Sequence, residues 1–187
     1  AALRAIPNHL VFRPADAMET AECWQIALTS RTSPSTLALT RQNLPAVRLE
    51  ASEDNLCALG AYELRMASDD AKVTIFATGS EVEIAVGAQA ELEKNGVPTR
   101  VVSVPSFELF ARQSADYQAA VIGTAPVRIA VEAGVRQGWD RFIGTDGAFV
   151  GMSGFGASGP YKELYAHFGI TVEAVVAAAM AEIGDEA

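Results

Sequence analysis

The chain has 187 residues, 50% of them hydrophobic and 20% charged, enough to bury a sizeable core as one domain or as one domain plus part of another. Its net charge of −9, from 14 basic and 23 acidic residues, argues against nucleic acid and anionic membrane as partners, because both want basic surfaces. Two cysteines, Cys23 and Cys57, are too few for a disulfide framework, and no apolar run approaches the roughly 20 residues of a membrane span.

A reducing, cytoplasmic setting is therefore expected. The chain opens Ala-Ala-Leu-Arg, with neither a methionine nor a signal-peptide layout, which reads as a piece of a longer polypeptide. Leu10 to Phe12 is a short apolar strand, after which Pro14 and Asp16 open a helix. Asp16 is a good N-cap, and Glu19 three residues on completes a capping box for a helix running to about Leu28. Ser33-Pro34 breaks the chain, and Thr36 to Thr40 forms a second strand. That strand delivers Arg41, Gln42 and Asn43 to its carboxyl end, where ligands collect in open α/β sheets. A planar, permanent cation there suits a phosphate or carboxylate; the competing reading is a surface ion pair. One strand–helix–strand unit cannot cover both faces of a parallel sheet, so residues 1–45 should need neighbours that this chain does not supply.

From Pro45 to Ala71 the sequence turns polar and acidic, with only Ala61 to Met66 reading as a strand. A fuller α/β unit follows. Val73 to Ala77 is a buried strand, Ser80 with Glu83 makes a capping box, and the helix runs to Lys94 before Asn95-Gly96 caps it left-handed. Arg100 to Val104 is the next strand, and a helix from about Ala115 to Val121 precedes the strand Val127 to Glu132. Phe142 to Gly144 and Phe149 to Gly151 read as short strands, and helices at about Pro160 to Phe168 and Thr171 to Ile183 close the chain. The expected fold class is α/β. A three-layer α/β/α C-terminal domain, with a mostly parallel sheet of about five strands, follows a β-α-β remnant of another α/β domain. The divisions expected are 1–48, a linker over 49–71, and 72–187.

Other candidate sites have plainer readings. Gly154-Phe-Gly-Ala-Ser-Gly159 has the dinucleotide spacing, but no second strand follows it, and Phe155 at a glycine turn points to packing. Thr78-Gly79-Ser80 opens a helix N-terminus that favours anions, though Glu81 and Glu83 already supply negative charge there. His9 and His167 lack a nearby nucleophile or paired acid and read as surface or interfacial. Glu132, at a strand end, reads as a structural ion pair, and Trp139 and Phe142 as packing residues.

Seven strings, in order along the chain, carry a family resemblance. They are Leu3-Arg-Ala-Ile-Pro-Asn8, Val11-Phe-Arg-Pro-Ala-Asp16, Leu39-Thr-Arg-Gln-Asn-Leu-Pro45, Ala77-Thr-Gly-Ser-Glu-Val82, Val101-Val-Ser-Val-Pro105, Val131-Glu-Ala-Gly134 and Phe155-Gly-Ala-Ser158. Together they resemble the last third of transketolase, from within the pyrimidine-binding domain through the C-terminal domain. The resemblance implies a homodimeric enzyme that transfers a two-carbon ketol unit between sugar phosphates, in the pentose phosphate pathway. It implies thiamine diphosphate and Mg²⁺ (or Ca²⁺) as cofactors of the whole enzyme, held by parts upstream of residue 1. One residue carries over: Arg41, matching the family arginine that binds sugar phosphate. No catalytic, cofactor-binding or metal-ligating residue is expected in this chain, which alone should be inactive. The alternatives are a stand-alone regulatory module binding through the Thr78–Ser80 turn, or a related thiamine enzyme such as dihydroxyacetone synthase.

Overall fold

A computed structural model describes residues 1–50 and 52–185. Strand β1 (Leu10–Phe12) pairs in parallel with β2 (Ser35–Leu37), and helix α1 (Ala17–Thr29) connects them. The Asp16 cap forms, with its carboxylate accepting from the Glu19 N–H at 3.0 Å. The reciprocal half of the box does not. The Glu19 carboxylate instead accepts from Ala15 N–H at 2.7 Å, Tyr62 Oη–H at 2.7 Å and Ser103 Oγ–H at 2.5 Å, and is fully buried. Strand β2 ends at Leu37 rather than Thr40, because β1 offers only three residues to pair with and the Ala38 N–H makes the last bond, to Phe12 O.

The larger sheet has the order β3-β5-β4-β6-β7, built from β3 (Tyr62–Arg65), β4 (Val73–Ala77), β5 (Thr99–Ser103), β6 (Val127–Glu132) and β7 (Ala148–Gly151). All pairings are parallel except β3 with β5 at one edge. The central strand β4 is buried along its whole length, as a parallel strand covered on both faces must be. Its side chains alternate between two cores. Val73, Ile75 and Ala77 face a layer that includes helices α2 (Glu81–Lys94) and α7 (Val172–Asp185). Phe76 faces the opposite layer of α3 (Phe107–Phe110), α4 (Ala115–Ile122) and α5 (Asp140–Ile143). Helix α2 ends as expected, with Gly96 at φ 75° and Val97 N–H bonded back to Leu92 O.

Three further expectations are corrected. Phe142 to Gly144 is not a strand: Phe142 lies in α5, 4.9 Å from the Phe110 ring and 5.5 Å from Phe76, and Gly144 (φ 72°) ends the turn. A short apolar run does not distinguish a strand from a buried helical turn. Ser80 makes no cap with Glu83; it is helical itself and donates to Glu81 Oε1 at 2.7 Å. Residues 1–45 do find a neighbour within the chain, since Leu10, Phe12 and Cys23 share a core with Cys57 and Leu109. The most apolar stretch, Tyr161–Gly184, is long enough in sum to cross a bilayer. It is two helices, α6 (Tyr161–His167) and α7, separated by Gly169 at φ 67°.

Burial pushes the Glu19 carboxyl above its ordinary range, against the three hydrogen bonds that favour its charged form. Tyr62→Phe removes one of those donors and should cost about 1–3 kcal/mol. A urea midpoint lowered at unchanged m-value is the expected readout; an unshifted midpoint would mean that Ser103 and Ala15 satisfy Glu19 alone.

Candidate substrate-binding site

Strand β1 ends by pushing Arg13 into the C-terminal half. Pro14 terminates the pairing, and Arg13 bonds across the boundary through its backbone, N–H to Pro105 O at 3.0 Å and O from Gly79 N–H at 2.9 Å. Its guanidinium lies between two carboxylates, 2.8 Å from Glu81 Oε2 and 2.8 Å from Glu132 Oε1. Arg4 adds a second cation, with both terminal nitrogens on Glu132 at 2.9 and 3.0 Å, and its guanidinium rests over the Phe107 ring at 3.9 Å. Trp139 Nε1–H completes the shell of Glu132 at 2.7 Å. Burial alone would raise the Glu132 carboxyl, but the hydrogen bond and charge of Arg4, with Arg13 and Trp139, hold it below the usual carboxylate range. Burial likewise opposes the charge on Arg13, and its two carboxylate partners outweigh that effect. The guanidinium passes so close to Gly79 (φ 62°) that a Cβ there would stand 3.1 Å from it, so both conformation and contact require glycine.

Around this network lie two adjoining clefts. One, of about 220 Å³, is bounded by Arg13, Thr40, Gln42, Gly79, Ser80 and Tyr165. The other, of about 520 Å³, runs from Asp16 along Thr40, Gln42 and Asn43 to Leu44. Tyr165 donates to Glu81 and stands 3.1 Å from Ser80 Oγ; burial first, then the Glu81 charge, raises its phenol above the ordinary value. Thr40 Oγ1 accepts from Gln42 N–H at 3.2 Å and contacts the Gln42 side chain, folding the loop into a tight turn. Arg41 sits at the apex of that turn with its side chain exposed, in no hydrogen bond or ion pair among the described residues. Its neighbours on both sides line the clefts.

The remaining sequence candidates fall elsewhere. Glu132 is a buried ion pair, and Trp139 and Phe142 are core residues, as read. The Thr78–Ser80 turn is filled by Arg13, whose charge Glu81 and Glu132 neutralise, and offers no free cation to an anion. His9 is half-buried against Thr36 Oγ1 at 2.7 Å, and His167 is exposed. The glycine string is an open loop, and Phe155 does not pack but is fully exposed. Arg4 and Tyr165 escaped the sequence reading, which noted Glu81 only as charge at a helix start. Their only signal was an acid in the first turn of a helix facing an arginine after a distant strand.

These elements match known ones. A family model described as "Transketolase-like TK C-terminal domain" matches residues 60–171, and one described as "Transketolase, pyrimidine binding domain" matches residues 1–47. The chain belongs to the transketolase family. The transketolase of Cereibacter sphaeroides is 55% identical over 183 residues, covering 98% of this chain and 28% of that protein. The solved transketolase of Leishmania mexicana superposes with a TM-score of 0.85 at 42% identity, over 96% of this chain and 26% of that one. The Pichia stipitis transketolase in complex with sedoheptulose-7-phosphate superposes at 0.88 and 37% identity, over 98% and 26%. The chain thus spans about a quarter of the length of the transketolases it matches. Coverage of nearly all its residues by transketolases disfavours a stand-alone regulatory module.

Removing one member of a buried ion pair typically costs about 3 kcal/mol or more, so Glu132→Gln should destabilise the fold by that order at pH 7. Because the Glu132 carboxyl is held low, its contribution is complete above the ordinary glutamate value of about 4.3 and is lost as pH falls through the lower native value. Urea unfolding of the two proteins should differ equally at pH 7 and 5, and less below pH 4. A difference that persists undiminished in acid would show that Glu132 acts through shape and not charge.

Proposed function

We propose that this chain is the C-terminal part of a transketolase, dividing near residues 48 and 71, whose whole polypeptide transfers a two-carbon ketol unit between sugar phosphates. In this reading the enzyme is a cytoplasmic homodimer of the pentose phosphate pathway, and Arg41 holds the phosphate of the sugar. The observation that carries the assignment is the exposed, unpaired guanidinium of Arg41 between Thr40 and Gln42, which line the two clefts. By contrast, Arg13 in the same cleft wall is neutralised by two carboxylates and has no charge to spare. The Pichia stipitis complex with sedoheptulose-7-phosphate supports the substrate class.

Beside the clefts, Arg41 would supply a planar, bidentate contact to phosphate oxygens. Thr40 and Gln42 have the hydroxyl and amide groups that suit sugar hydroxyls. The family cofactor is thiamine diphosphate with a divalent metal, and the described residues do not fit it. No group of three or more His, Cys, Asp or Glu side chains among them could hold the metal ion. In this reading the metal is held by other parts of the full enzyme.

In the full-length enzyme, Arg41→Ala should raise KM for phosphorylated sugars about tenfold to a hundredfold, the equivalent of one charge-assisted contact, and largely spare unphosphorylated acceptors. Equal losses for both substrate types would show that Arg41 supports the fold or the cofactor site instead. For the 187-residue chain alone, calorimetry with thiamine diphosphate and Mg²⁺ should give no saturable heat. Micromolar binding would relocate the cofactor site into this chain.

A further inference from the structure

The five-stranded sheet reverses its chain order between β4 and β6: β4 leads to β5 on one side, and the chain returns to β6 on the other. In such sheets ligands sit at the carboxyl ends of the strands, in the crevice at this reversal. Here the charged half of that crevice, between Glu81 after β4 and Glu132 at the end of β6, is taken by Arg13. The half beside it is apolar. A cavity of about 310 Å³ lies at the carboxyl ends of β6 and β7, at the small end of the range for small-molecule sites. Val135, Met152, Leu164, Tyr165, Phe168 and Ile170 line it, and no charged side chain of the described residues does. Its rim is the loop 153–159 after β7, through Gly154, Gly156 and Ala157. Among the described residues that loop makes no hydrogen bond through backbone or side chain. It is exposed throughout, and Phe155 near its middle is 101% exposed. A Cβ at Gly154 or Gly156 would meet no atom within 4 Å, so nothing packs against the loop on either side of the Phe155 ring.

We propose that this cavity binds a small uncharged aromatic molecule, and that the loop 153–159 closes over it with Phe155 as the lid. Charge sets the class of ligand. An ion buried against Val135, Met152, Leu164 and Ile170 would find no counter-charge, so sugar phosphates, nucleotides and carboxylates are refused here. The walls favour a flat ring. Tyr165 and Phe168 supply aromatic contacts, and the Met152 thioether suits the edge of a ring. A hydroxyl or carbonyl on that ring also finds donors, because the backbone N–H groups of the loop bond nothing else among the described residues. Closure has a driving force in Phe155 itself, a large apolar side chain that leaves water when it covers the ligand. The loop has no hydrogen bonds to break, so closing costs little beyond its own ordering. Tyr165 stands in the wall of this cavity and of the 220 Å³ cleft bounded by Thr40 and Gln42. The two take opposite chemistries: an anion beside Arg41 in the reading above, an uncharged ring here.

Phenol titrated into the 187-residue chain, with Met, Leu and Ile methyl groups isotope-labelled for NMR, should move the methyl signals of Met152, Leu164 and Ile170 saturably at about millimolar concentration. Benzoate, the same ring carrying a charge, should leave them in place. Phe155→Ala, at a fully exposed position, should leave the thermal midpoint unchanged and raise the phenol dissociation constant about fivefold to tenfold, the loss of one aromatic contact. Val135→Trp, at a half-exposed wall position, should fill the cavity and abolish the shifts while the fold is retained. Full-length enzyme should show the same shifts as the chain alone. Methyl shifts that are absent or spread over other parts of the chain, or equal binding of phenol and benzoate, would overturn the site. Unaltered phenol affinity in Phe155→Ala would overturn the lid. Loss of the shifts in the full-length enzyme would assign the cavity and Phe155 to a contact with the upstream portion, and would overturn the ligand site as well.

Discussion

The guanidinium of Arg13 is the point on which the two halves of this protein turn. It leaves strand β1 in one half and ends between Glu81 and Glu132 in the other, with all three side chains largely removed from water. Burying any one of these charges alone would cost several kcal/mol, and the arrangement stands only because the charges balance. Arg4 supplies the second cation that two carboxylates require, and Trp139 donates the remaining hydrogen bond. The network is also geometrically selective, because guanidinium and carboxylate groups meet through fixed forks. It therefore sets the orientation of β1, and hence of the loop after β2, relative to the five-stranded sheet.

Several local features follow from that constraint. Gly79 has no side chain because the Arg13 guanidinium occupies the space a Cβ would need. Glu81 turns inward to meet Arg13, so Ser80 bonds to Glu81 and Tyr165 instead of capping the helix. Tyr165 is thereby drawn from α6 to the cleft wall opposite Thr40 and Gln42. The second crossing, at Glu19, is built differently. It has no cation and relies on three donors from two parts of the chain, Ala15 beside it and Tyr62 and Ser103 in the larger sheet. One boundary is thus held by paired charge and the other by hydrogen bonds to a buried acid, and the two should respond differently to pH.

What the network leaves outside is as informative as what it encloses. Among the described residues Arg41 has no carboxylate partner, whereas Arg13 has two. Trp24 and Leu28 on α1 and the exposed Phe155 are apolar surfaces that the described residues leave uncovered. In α1 the cause is direct: the acids that would normally solvate a surface helix are spent on internal contacts with Tyr62, Ser103 and Arg48.

Much of the architecture was legible in the sequence because local rules determine it. The mostly apolar run Val73–Ala77 reads as a buried strand, Asp16 as the start of a helix and Asn95-Gly96 as the end of one, and each forms as read. Arg41 stood out in the sequence through its setting after a strand and through the family strings around it, and it lies exposed on the loop after β2. Where the sequence misled, a distant partner had intervened. Phe142 reads as a strand residue until its contacts with Phe76, Phe107 and Phe110 roll it into a helical turn. Ser80 and Glu83 spell a capping box until Arg13, 67 residues before Ser80, claims Glu81. Periodicity and capping act within about four residues and are written in the chain, so the sequence alone determined most of the longer elements and their order. Ion pairs across more than a hundred residues, and ring contacts across tens of residues, depend on where those elements land, so only the tertiary structure decided which charges were consumed inside and which, like that of Arg41, stayed exposed.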